Sequence, residues 1–171
     1  VKAIREGKAP ELEEPIEHGV EINLRIPALI PEDYLPDVHN RLILYKRIAS
    51  AEDEDALDAL RVEMIDRFGP LPDPTRNLFR ITRLKLAAER LGIERVDAGA
   101  GHGRLEFGSH PQVDPARLVA MVQREPERYR LDGASTLRFE ADMAERETRI
   151  EVVAELLAHL GEGANVPSRE A

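Results

Sequence analysis

The sequence predicts an α+β domain in which several amphipathic helices pack with a small, mainly antiparallel sheet. Three observations carry this. Between Asp37 and Gly92, apolar residues recur at helical spacing in three punctuated stretches. Beyond Gly92 the segments shorten and alternate, and they pair around glycine-containing turns. Helices and strands are therefore grouped apart, as in α+β folds, and not interleaved as in a doubly wound sheet.

Each element has a local cause. Val20, Ile22, Leu24 and Ile26 alternate with Glu21, Asn23 and Arg25, the period of a strand with one buried face, and Pro27 and Pro31 end it. Asp37 is a helix cap, and Val38, Leu42, Tyr45 and Ile48 form the expected inner stripe of a helix reaching Ala49. Ser50 to Asp53 reads as a capping box for a second helix with Leu57, Leu60, Met64 and Phe68 inside and Gly69-Pro70 as its stop. Asp73-Pro74 opens a third, with Leu78, Ile81, Leu84, Ala88 and Leu91 facing inward up to Gly92. Val96 to Ala98 and Arg104 to Phe107 predict a hairpin around Gly99 to Gly103. Asp114-Pro115 starts a short helix to about Gln123. Tyr129 to Leu131 and Thr136 to Phe139 pair across Asp132-Gly133. A last helix places Ile150, Val153, Leu157 and Leu160 on one face.

Composition sets the function classes. The 171 residues suit one domain with a real core. Residues 1–19 are charged and proline-containing, which reads as a linker from something upstream; residues 20–160 form the domain; residues 161–171 read as a flexible polar tail. With 24 Lys and Arg against 33 Asp and Glu, the net charge of -9 opposes non-specific binding to phosphate backbones. Cysteine is absent, which removes thiolate chemistry and Cys-based zinc sites. No apolar run reaches the roughly 20 residues of a membrane span, and no signal-peptide order is present, so the expectation is a cytoplasmic chain without membrane contact.

No catalytic constellation emerges. Gly99 to Gly103 lacks the Lys-Ser/Thr and the following helix of a phosphate loop, and reads as a turn. The histidines at 18, 39, 102, 110 and 159 show no metal-binding spacing. The serines at 50, 109, 135 and 168 lie in turns without a nucleophile elbow. The expectation is a non-enzymatic chain with no cofactor and no metal. The second helix carries the one charge pattern with a definite geometry: at about 100° per residue, Glu63 lies on the shoulder of the apolar stripe and Asp66 almost opposite it. Taken alone, this is a solvated face with Glu63 paired to Arg67 at i+4.

The segments EINLRIPALIPEDYLPDVHNRLILYKRIASA, RVEMIDRFGPLPDP, RYRLDGASTLRF and ERETRIEVV, in this order and spacing, resemble the C-terminal domain of the bacterial transcription-repair coupling factors, the Mfd family, from about Val20 to about Leu160. The departures lie at the ends and around Gly99 to Gly103. The resemblance implies a non-catalytic regulatory module of a longer protein. That protein engages stalled RNA polymerase, translocates on double-stranded DNA with ATP and Mg in motor domains absent from this chain, and recruits the repair protein UvrA. It implies further that this module docks on the UvrB-like module of the same protein, masks UvrA binding and restrains the motor. By motif position, the resemblance assigns the partner-binding acidic pair to Glu63 and Asp66; Arg67, at i+4 from Glu63, is the neighbour expected to orient it and completes the partner-binding set. The alternative is a direct nucleic-acid or RNA polymerase contact through Arg76, Arg80, Arg83 and Lys85 on the third helix.

Overall fold

The computed structural model describes the backbone of residues 19–170 and the side chains of residues 19–162. The expected linker falls almost wholly outside the described residues. In chain order the elements are β1 (Glu21–Asn23), α1 (Val38–Ala49), α2 (Glu54–Phe68), α3 (Asp73–Arg90), β2 (Ile93–Ala98), β3 (His102–Phe107), α4 (Pro115–Arg124), β4 (Tyr129–Asp132), β5 (Thr136–Glu140) and α5 (Arg146–Glu170). The five strands form one sheet in the order β1-β2-β3-β5-β4. Only the β1/β2 pair is parallel; the other three pairs are antiparallel. The α+β architecture read from the sequence is the one observed.

The described side chains bury two apolar cores, with α3 as the wall between them. One core joins the inner face of the sheet (Val96, Leu105, Leu137, Phe139) to Leu84 and Ala88 of α3, Met121 of α4 and Val153 and Leu157 of α5. The other holds Leu44 and Ile48 of α1, Leu57, Leu60 and Met64 of α2, and Phe79 and Leu86 of α3. A wall helix is buried on two sides, so its apolar residues spread beyond a single stripe. That is why Phe79 and Leu86 are buried although they lie off the stripe expected from the sequence, on which Leu78 and Ile81 are only half-buried.

Four expectations change in detail. The first strand is confined to Glu21–Asn23, because Arg25 has φ of 60° and turns the chain out of the ladder, although Leu24 beyond it is buried. Helix α1 buries Leu44 and Ile48, leaving Val38 and Leu42 57% and 58% exposed. Two overlapping stripes satisfy the same helical spacing and share Ile48, and packing on α2 and α3 selects one of them. The capping box reduces to Asp53, whose carboxylate accepts from the Ala56 amide at 2.8 Å, while Ser50 closes α1 instead. At the far end, α5 continues through the segment read as a tail. Gly161 is buried in that helix, where an added methyl group would stand 3.6 Å from Leu91 Cδ2, an ordinary contact.

One polar residue lies deep in the larger core. Arg149, at the start of α5, donates to the carbonyl oxygens of Leu24 (2.7 Å), Met143 (3.1 Å) and Ala144 (3.4 Å). It ties the end of β1 to the loop that enters α5.

Candidate functional site

Helix α2 is held by its inner residues Leu57, Leu60 and Met64, and this fixes which side chains face outward. Acidic Glu54 and Asp55 occupy its first turn and Arg67 its last, each at the end of the helix dipole that favours its charge. Positions 55, 59, 62 and 66 follow one another at helical spacing on the outer side. They are Asp55, Ala59, Val62 and Asp66, all exposed, with Val62 49% exposed. Neither Asp55 nor Asp66 enters an ion pair among the described residues.

Glu63 lies beside this stripe in a different situation. Its two carboxylate oxygens accept from Arg47 Nη1 and Nη2 of α1 at 2.9 and 2.8 Å, and Arg67 Nη1 adds a third bond at 3.1 Å. A bidentate guanidinium-carboxylate pair fixes direction as well as distance. The Arg47 hydrogen bonds, reinforced by Arg67, hold the Glu63 carboxyl down at about 2, and the same pairing raises the Arg47 guanidinium. Arg67 is further constrained because its guanidinium carbon lies 4.8 Å from the centroid of the Phe68 ring. Phe68 in turn meets Tyr34 edge-on at 6.2 Å, and Tyr34 donates to the Gly69 carbonyl at 2.9 Å.

The sequence-predicted pair thus divides into two roles. Glu63 and Arg67 meet as i+4 spacing foretells, while Asp66 stays exposed and unpaired among the described residues. Arg47 could not have been found locally, since 16 residues and a helix boundary separate it from Glu63. The stripe of Asp55, Val62 and Asp66 follows the helical period, but it mixes acidic and apolar residues and so forms no run of one residue type.

Of the four basic residues of the alternative on α3, three have carboxylate partners: Arg76 pairs with Asp73, Arg80 with Glu147, and Arg83 with Asp58 at 2.7 Å, while Lys85 has no ion pair among the described residues. Among the described residues, no group of three or more acidic or histidine side chains converges as metal ligands would, and no helix is long and apolar enough to cross a membrane.

Comparison with known proteins gives a consistent picture. A family model described as the TRCF domain matches residues 24–118. The transcription-repair-coupling factor of Haemophilus influenzae is 48% identical over 157 residues, which cover 92% of this chain and 14% of that protein. The Escherichia coli factor is 45% identical over 164 residues, covering 96% of this chain and again 14% of that protein. A crystal structure of the C-terminal domain of transcription-repair coupling factor aligns with a TM-score of 0.69 at 21% identity, covering 85% of this chain and 95% of that chain, and shows the shared fold. The chain spans about a seventh of the length of these relatives, 14% in each case.

Proposed function

This chain belongs to the TRCF domain family, the C-terminal domain of transcription-repair-coupling factors, and from that premise we propose that it is the non-catalytic docking domain that holds the longer protein closed. On this reading it packs on the UvrB-like module of the same polypeptide, masks the surface that UvrA binds, and restrains the ATP-driven translocase. ATP and Mg then serve the motor domains outside this chain, as does contact with RNA polymerase and double-stranded DNA.

The observation that carries the proposal is the outer stripe of α2, where two carboxylates without ion pairs among the described residues, Asp55 and Asp66, flank exposed Val62. Such a stripe complements a basic surface with a small apolar centre, and charge complementarity sets orientation and partner choice more than it sets affinity. Glu63 takes a different part from Asp66. Its carboxylate already serves two arginines, so it fixes α1 against α2 and keeps the stripe rigid while Asp66 makes the contact. Because both modules belong to one chain, their effective concentration is of order mM, and about 2.7 kcal/mol holds the closed form at about 99 per cent. A latch of that size opens when one charged contact is lost.

The test is a titration of this chain against the separately purified UvrB-like module at two salt concentrations. Weak, salt-sensitive binding is expected, reduced about 10-fold or more by Asp66→Lys and abolished by Glu63→Lys/Asp66→Lys. In the full-length protein the double variant should expose UvrA binding. Folded variants that bind the module as tightly as wild type would remove α2 from the interface.

A further inference from the structure

The sheet has one face in the core and one face open, and the open face is organised by charge. Across it, Asn23, Asp97, Arg104, Arg138 and Arg130 are successive register partners on β1, β2, β3, β5 and β4. Three arginines therefore stand directly opposite one another on neighbouring strands, an arrangement that destabilises a sheet. In a chain of net charge -9 it is also the opposite of what composition would supply by chance. The next row, Glu21, Arg95, Glu106, Thr136 and Asp132, is mainly acidic.

The arginine row is partly met by carboxylates of the same sheet, Arg104 also lying 3.3 Å from Glu106 Oε2 through its Nη2. Asp97 accepts from Arg95 Nε at 2.9 Å and from Arg104 Nε at 3.4 Å, and Asp132 accepts from Arg138 Nε at 2.7 Å. Arg130 and Arg25 have no ion pair among the described residues and are exposed. Arg25 takes its place through a left-handed backbone, φ 60°, and lies over the turn between β2 and β3, where a methyl group at Gly99 would stand 3.3 Å from its Nη1. Together with Arg95, Arg104 and Arg138 it lines an open depression of about 380 Å³.

Charge and spacing select the occupant. A nucleic-acid strand would meet the acidic row beside the arginines, and neither row carries an aromatic side chain for bases to stack on. Neighbouring strands set their residues about 4.8 Å apart, whereas carboxylates three or four apart on a helix stand about 5–6 Å apart. One face of an acidic helix laid across the strands therefore meets Arg104, Arg138 and Arg130 in turn; Arg130, without an ion pair among the described residues, is able to form a bidentate pair, while Arg104 and Arg138 offer the guanidinium N–H groups that Asp97, Glu106 and Asp132 leave over. We propose that the open face of the sheet docks the acidic face of a helix from a protein partner. This site is separate from α2 and of opposite sign, so it stands or falls independently of the docking reading above.

The probe is a fluorescent helical peptide of about 20 residues with glutamates along one face, titrated by anisotropy into the 171-residue chain. A peptide of identical composition with its glutamates scattered around the helix, and a DNA duplex of equal charge, are the comparators. The aligned peptide should bind about 10-fold or more tightly than either, and Arg130→Gln/Arg138→Gln should weaken it by about 10-fold or more, as expected for charge-assisted bonds. Asp66→Lys should leave this binding unchanged. Equal binding of the scattered peptide, tighter binding of the duplex, no binding at all, or full binding by the double variant would each overturn the proposal. Arg130→Gln alone, at an exposed position, serves the same purpose should the double variant not fold.

Discussion

At the scale of single residues, Glu63 is bound into the fold by Arg47 and Arg67 at a position that the family resemblance assigns to a partner contact. Its carboxyl is held at about 2, below its value in the unfolded chain, so the pairing adds stability at pH above the ordinary carboxylate range of about 4. That contribution disappears as the pH falls toward about 2. A carbon-detected NMR titration should find the Glu63 carboxyl still ionised at pH 3.5 and should find its pKa shifted upward in Arg47→Ala. An ordinary carboxylate titration in the wild-type chain would contradict the clamp. Asp66 makes the contrasting case, since Asp66→Lys should leave the melting temperature within a degree or two, as surface substitutions within about 0.5 kcal/mol do, while weakening docking.

At the scale of elements, the joints are more telling than the elements themselves. Arg149→Leu leaves the carbonyls of Leu24 and Met143 without a donor in the core and should cost about 2–4 kcal/mol in chemical denaturation. A cost below about 0.5 kcal/mol would show that water replaces the guanidinium. Gly92, between α3 and β2, has φ of 75°, and a methyl group there would fall 2.5 Å from the His110 carbonyl oxygen. Gly92→Ala should therefore lose about 2 kcal/mol or more, whereas Gly133→Ala, at the same φ with open space around it, should lose less. Helix ends were largely legible in the sequence for the same local reasons: Asp37, Asp53 and Asp114 each cap as their residue type suggests. The inner stripe of α1 was not, because Val38-Leu42 and Leu44-Ile48 compete on equal terms until neighbouring helices choose.

At the scale of the whole molecule, α3 supplies side chains to both cores, and the expected outcome is that they unfold as one cooperative unit. Phe79→Ala removes packing from the α1/α2 side and should cost about 3–5 kcal/mol. Native-state hydrogen exchange should then show amides of β3 losing protection along with those of α2. Loss confined to α1 and α2 would mean that the cores unfold separately. The molecule also separates its charges, with acids that have no ion pair among the described residues on the outer side of α2 and a row of arginines across the open sheet.

The sequence by itself determined the element types, most of their boundaries, the α+β class and the family, because caps, turns and apolar periods are written within a few residues of where they act. It also singled out Glu63 and Asp66 through motif order, and Arg67 through helical spacing, as the residues proposed for docking. Only the tertiary structure decided that Glu63 belongs to Arg47, that Arg76, Arg80 and Arg83 are each met by a carboxylate, and that arginines from β3, β4 and β5 form a single row. Those relations depend on strand order and helix packing. They join residues far apart in the chain, which no local period can bring together.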